Sequence, residues 1–198
     1  DIPLEGHPNQ TFGNYQIGDI AYADLNGDGI VDNNDQKSIG QSFPTTTMGI
    51  DVTLKYKGIG LYILGTVTTG ITKLCTSSYY WNSGLNGYSV LASDRYHPVN
   101  NPEGTQPRLT TMAADNNQRN STFWTENGSF FRLKNIELSY TLANKSGKGI
   151  GKNYKFFLRG TNLFVLSGIK DLDPERILSG VTNYPTYRTV TGGLSISF

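Results

Sequence analysis

The chain has 198 residues and a net charge of +1, which leaves no electrostatic case for nucleic acid or another polyanion as partner. Hydrophobic residues make up 36% and charged residues 17%, with 23 glycines, 12 tyrosines and 9 phenylalanines, a composition suited to strands joined by long polar loops. Cys75 is the single cysteine, so an intramolecular disulfide and a cysteine metal cluster are excluded, and no run of about 20 apolar residues offers a membrane helix.

A barrel strand needs only about 10 residues of alternating polarity, so membrane insertion through strands stays open. Residues 1–46 read as a loop, and the abrupt loop-like start suggests a piece of something longer. Within it, Asp24-Leu25-Asn26-Gly27-Asp28-Gly29-Ile30-Val31-Asp32-Asn33-Asn34-Asp35 places oxygen ligands at the positions of a twelve-residue calcium loop, with glycine at the sharp turn. Ca²⁺ is a hard cation that takes six to eight oxygens, which alternating carboxylates and amides on one tight coil supply. Asp24, Asn26 and Asp28 are expected to bind through side chains, Ile30 through its carbonyl, Asp32 directly or through water, and Asp35 by closing the site. Two departures from an EF-hand are visible: the closing residue is Asp rather than Glu, and no flanking helices are evident. The expectation is a structural Ca²⁺ clip in an external loop; the alternative is a glycine/aspartate turn without metal.

Five strands follow from period-two alternation. Residues 47–56 put Met48, Ile50, Val52, Leu54 and Tyr56 on one face. A tight turn at Lys57-Gly58 leads into residues 59–69, where Ile59, Leu61, Ile63, Gly65 and Val67 share a face. Residues 70–128 form a long external loop, too long to be plain, that holds Tyr79, Tyr80, Trp81 and Trp124. The last three strands lie in 129–198. Residues 129–142 set Ile136, Leu138, Tyr140 and Leu142 against Asn135, Glu137 and Ser139. Residues 153–166 set Tyr154, Phe156 and Leu158 against Lys155, Phe157 and Arg159. Residues 187–198 end with Leu194, Ile196 and Phe198 on one face.

Antiparallel order would place every long connection at one end and both short turns, Lys57-Gly58 and 143–152, at the other. Outer-membrane barrels have that asymmetry, and a soluble sandwich has no reason to sort its loops so. The fold class is therefore all-β, antiparallel strands forming the C-terminal portion of a transmembrane β-barrel with long external loops. A soluble core explains the apolar faces equally well on alternation alone, which keeps a calcium-stabilised, glycan-binding β-sandwich as the alternative.

Catalytic signals are missing. His7 and His97 precede prolines in loop-like sequence, no metalloprotease, nucleophile-elbow or P-loop motif is present, and Asp171, Asp173 and Glu175 read as solvated loop charges rather than as an acid/base pair. A hydrolase with an acidic pair is the second alternative.

The run Gly18-Asp19-Ile20-Ala21-Tyr22-Ala23-Asp24-Leu25-Asn26-Gly27-Asp28-Gly29 resembles the segment that precedes the last barrel strands of SusC/RagA-like transporters. Phe43-Pro44, Phe123-Trp124, Asn127-Gly128-Ser129-Phe130-Phe131-Arg132-Leu133, Gly160-Thr161-Asn162-Leu163-Phe164 and Asp173-Pro174-Glu175 follow in the family's order. The resemblance implies import of oligosaccharides or peptides across the outer membrane, energised by TonB through an N-terminal region missing here. It also implies a SusD-like surface lipoprotein as partner and outer-membrane lipid around the wall. Tyr79, Tyr80, Trp81 and Trp124 then become candidates for contact with sugar or with the lid protein, or else for packing within the loop.

Overall fold

Side chains that alternate in polarity build extended strands, and in the computed structural model they do so close to the expected boundaries. The structure describes residues 6–82, 84, 87–110, 116–144, 152–177 and 180–197. Its strands are β1 (Asn9–Gln10), β2 (Ile30–Val31), β3 (Thr46–Tyr56), β4 (Ile59–Thr69), β5 (Thr72–Leu74), β6 (Thr125–Asn127), β7 (Phe130–Ala143), β8 (Asn153–Ser167) and β9 (Thr189–Ser197). The chain divides into two units. Unit 1 comprises Asp1–Gly40, Lys73–Glu126 and Arg176–Asn183; unit 2 comprises Gln41–Thr72, Asn127–Glu175 and Tyr184–Phe198. Short β5 and β6 pair with each other.

Unit 2 is one antiparallel sheet in sequence order, β3-β4-β7-β8-β9, with β3 and β9 as open edges. Lys57 and Gly58 make the first hairpin with φ of 45° and 85°. Positive φ at both central residues belongs to the two-residue turn whose twist matches paired strands. The second short connection spans residues 143–152, of which 145–151 lie outside the described residues. Phe198, expected beside Leu194 and Ile196, lies outside them too.

Two irregularities reset the alternation. Against β4, the register of β7 skips from Asn135 to Leu133, leaving Lys134 as an extra residue. Against β8, Leu133 pairs with Phe164 while Asn135 pairs with Thr161, so Asn162 and Leu163 bulge. Asn162 has φ 51°, the left-handed region that asparagine tolerates better than other residues with a side chain beyond Cβ. The bulges let Leu133 and Phe131 rejoin the face of Ile136 and Leu138 after the odd residue.

The resulting apolar face runs in cross-strand rows. Leu54, Leu61, Leu138 and Leu158 make one row, and Tyr56, Ile59, Tyr140, Phe156 and Leu194 the next. This face is exposed: Leu54, Leu138 and Leu158 are 58%, 54% and 56% accessible. The expected two-faced sheet is therefore present, with its apolar side exposed rather than buried as a soluble core. Buried residues of unit 2 include Ile71, Phe130, Leu133, Ile169 and, on the opposite face, Arg132 and Glu137.

Unit 1 has little regular structure. β1 and β2 pair in parallel, Asn9 with Ile30 and Gln10 with Val31. Two short 3₁₀ turns, Val90–Asp94 and Thr122–Trp124, punctuate the long loop. Val31, Cys75, Ala92, Trp124 and Ile177 are its buried apolar residues, with Asn116 and Asn117 buried among them. Among the described residues no helix is long and apolar enough to cross a membrane, which has no bearing on strands.

Candidate functional site

The acidic loop is held by its own backbone. Asp24 accepts hydrogen bonds from the N–H groups of Gly27 (2.6 Å) and Gly29 (2.7 Å), Asn26 from Asp28 N–H (2.8 Å), and Asp28 from Ile30 N–H (2.9 Å). Asp35 closes the coil, accepting from Leu25 N–H (2.7 Å) and Asp32 N–H (2.8 Å). Asp32 accepts from Asn34 N–H (2.6 Å). Each short side chain thus folds back onto a donor a few residues away, the ordinary habit of Asp and Asn in turns. Glycines 27 and 29 supply φ of 80° and 86°. The donated N–H groups of Asp32 and then Leu25 hold the Asp35 carboxyl below its ordinary value. All six expected ligands share this coil, but among the described residues no group of three or more His, Cys, Asp or Glu side chains is placed to hold a metal.

The aromatic candidates touch one another within unit 1, where Trp124 is buried and Tyr79, Tyr80 and Trp81 are half-buried. Trp124 is 5% exposed and its indole N–H donates to the Asn117 carbonyl at 2.7 Å. Trp81 stands edge-on to it, with ring centroids 6.5 Å apart, and Tyr79 meets Tyr80 the same way at 5.2 Å. Of the two readings available from sequence, packing within the loop is the one these contacts support. Beneath Trp124, Cys75 donates its N–H to the Trp124 carbonyl, and burial pushes its thiol up to about 11, far from a reactive thiolate.

Unit 1 also contains an open cavity of about 1420 Å³, lined in part by Phe12, Tyr22, Tyr96, Gln106, Gln118 and Phe123. The Asn116-Asn117 pair ties the segments around it. Asn117 Oδ1 accepts from Ile20 N–H (2.8 Å), Asn116 Nδ2 donates to Ile20 O (3.0 Å), and Tyr22 O–H donates to Asn116 O (2.5 Å). Burial pushes the Tyr22 phenol up to about 12, so it remains a donor. Asp19 pairs with Arg108 at 2.7 Å and accepts from Asn117 Nδ2 at 2.7 Å. Sequence reasoning missed this arrangement because an Asn doublet in a polar run carries no periodic signal.

Asp171 and Glu175 are exposed, as loop charges are, and Asp173 and Glu175 are in addition held by cations. Both are engaged by Arg132, whose side chain is 4% exposed, and Glu175 also takes Lys134 at 3.1 Å. Carboxylates spent on fixed cations are not poised as an acid/base pair. His97 is likewise structural, its Nδ1 accepting from Val99 N–H (3.2 Å) and Asn100 N–H (3.1 Å). On the polar face of the sheet, Glu137 accepts from Lys155 (2.7 Å) and Arg159 (2.9 Å).

No family model matches the chain. It is 32% identical over 197 residues to TonB-dependent receptor P26 of Formosa agariphila, covering 92% of this chain and 20% of that protein. It is 25% identical over 183 residues to TonB-dependent receptor SusC of Bacteroides thetaiotaomicron, covering 89% and 17%. In fold it matches the structure of the RagAB peptide transporter with a TM-score of 0.63 at 23% identity, over 85% of this chain and 20% of that one. The chain thus spans about a fifth of the length of the relatives it matches.

Proposed function

We propose, on the premise that this chain is part of a SusC/RagA-like TonB-dependent transporter, that it forms a stretch of outer-membrane barrel wall with its external loops. The barrel imports oligosaccharides or peptides together with a SusD-like lipoprotein. The observation that carries this reading is the sheet itself: five antiparallel strands with one exposed apolar face and one polar face. Lipid covers the apolar face and the aqueous lumen meets the polar one.

Dimensions support the assignment. At about 3.3 Å per residue, Phe131 to Tyr140 runs about 30 Å along β7, and a barrel tilt of about 40° reduces the height to about 23 Å, near the apolar band of about 25 Å. Tyr56, Tyr140 and Phe156 stand near the short-turn end of the strands, and Phe131 and Phe164 toward the other. Aromatic girdles at both interfaces have that placement.

The peptide class is supported by a fold neighbour that is a peptide transporter, and the oligosaccharide class by the resemblance to SusC/RagA-like transporters. Energy coupling to TonB belongs to a region outside these 198 residues. Within this chain the residues expected to act do so by position, as wall and loops, without catalysis. The acidic loop at Asp24, Asn26, Asp28, Ile30, Asp32 and Asp35 takes Ca²⁺ as a structural ion, a role supported by the spacing of its oxygens and its two positive-φ glycines.

Fractionation of native membranes tests the assignment. The protein is expected in the outer membrane, migrating faster on gels when unheated and co-purifying with a lipoprotein. Recovery in a detergent-free soluble fraction would return the β-sandwich alternative.

A further inference from the structure

The polar face of unit 2 carries one patch whose charges do not balance. Lys155, Phe157 and Arg159 are alternate residues of β8 and so project together. Glu137 lies opposite Arg159 on β7, is 7% exposed, and receives both cations. Lys155 and Arg159 keep 41% and 50% of their side chains exposed. Among the described residues Glu137 is the one carboxylate paired with either, so two cations share a single anion. Lysine has three donors and arginine five, and Glu137 uses one from Lys155 and two from Arg159. Among the described residues two donors of Lys155 and three of Arg159 remain unused, on side chains that are 41% and 50% exposed.

Between the cations lies Phe157. Its ring rests on Gly193, where a Cβ would come within 2.4 Å of it, and both cations sit over the ring, at 5.9 Å and 5.4 Å. A half-buried ring on an otherwise polar face gives apolar area flanked by free charge-assisted donors. Arginine and aromatic residues set side by side are characteristic of the centre of protein interfaces.

We infer that this patch docks an acidic protein segment, one Asp or Glu carboxylate received between Lys155 and Arg159 with its aliphatic stem on Phe157. The inference rests on the wall reading, in which this face is turned away from lipid. A free anionic solute needs the cations alone and leaves Phe157 without purpose; a polypeptide uses both.

The test treats the native protein, in its own membrane, with a water-soluble carbodiimide, which joins an amine and a carboxylate in contact through an amide bond. Mass spectrometry of the digest is expected to find Lys155 joined to an Asp or Glu other than Glu137. The Lys155→Arg variant keeps the charge and is expected to lose that product while folding normally. Lys155 joined only to Glu137, or left unjoined and fully acetylated by a small reagent, overturns the docking. Protection of Lys155 only when an anionic solute is added overturns it as well. In parallel, an apolar photolabel confined to lipid is expected to mark Leu138. Labelling of Leu138 without a Lys155 product rejects the docking alone, whereas failure to label Leu138 rejects the wall reading and the docking with it.

Discussion

Arg132 on β7 holds Asp173 of the connection between β8 and β9, 41 positions away in sequence. The same guanidinium reaches Glu175 at 3.1 Å, and Lys134, the bulged residue, donates to both oxygens of that carboxylate, at 3.1 and 3.2 Å. Asp173 also accepts from Glu175 N–H at 3.0 Å, which closes a turn around the buried Pro174. Two cations of β7 therefore hold the Asp173–Glu175 stretch of a connection that sequence leaves as loop, and the bulged Lys134 meets Arg132 on the same Glu175 carboxylate.

Replacing Arg132 with Met is expected to destabilise the wall by about 1–3 kcal/mol, because a buried cation's partners are left without donors. The figure sits at the lower end of what breaking a buried pair costs, since Asp173 and Glu175 are 21% and 35% exposed. Arg132→Lys should recover only part, lacking the fork that spans two carboxylates. The temperature at which the unheated gel species converts to the heated one measures both; an unchanged temperature for Arg132→Met would show that the strap holds without it.

Asn162 gives a conformational prediction. At φ 51°, a β-branched side chain collides with its own backbone, so Asn162→Val should cost about 1–2 kcal/mol and Asn162→Gly much less. Equal stability of the two variants in a denaturant titration would mean that the bulge moves elsewhere along β8.

Strand boundaries were legible because alternation is a local signal. The strand expected over residues 59–69 is the observed β4, and the others agree within about two residues. Lys134 and Asn162 were not legible as bulges, since an extra residue interrupts the count without any compositional mark other than asparagine's tolerance of positive φ. Strict alternation from Ile136 would put Arg132 on the apolar face, and its partners lie across a long connection, beyond any window of pattern. The acidic loop was legible as a coil with carboxylates turned inward. The buried Asn116 and Asn117 were not, because their partners Asp19, Ile20 and Tyr22 come from a distant stretch of chain.

For the acidic loop, Asp35 sets the sign of a pH response. Its folded value lies below the ordinary 3.8, held there first by the N–H of Asp32 and next by that of Leu25. A depressed carboxylate stabilises fully above the ordinary value and loses its contribution as pH falls through the folded one. Amide exchange in residues 24–35 should therefore speed up only in acid below about pH 4, and Asp35→Asn should speed it up at neutral pH. Added Ca²⁺ should slow exchange at neutral pH in the native loop and not in Asp24→Ala; no slowing in either protein would assign the coil to its backbone hydrogen bonds alone.

Leu138 and Ser139 are neighbours on opposite faces of β7, and one cationic substitution at each separates lipid from water. Leu138 is 54% accessible, so if water met that face, Leu138→Lys would change stability by no more than about 0.5 kcal/mol, as surface substitutions do. Against hydrocarbon the same change costs about 2–4 kcal/mol near the midplane, falling toward zero at the interfaces. Ser139→Lys, on the polar face beside Gly60 and Phe157, should be the milder change in either case. The informative quantity is the difference between the two variants when the purified barrel is unfolded reversibly in a lipid bilayer. Leu138 lies one row from Tyr140, between midplane and interface, so a gap clearly above about 0.5 kcal/mol places the leucine rows in the membrane, and no gap removes the wall from it.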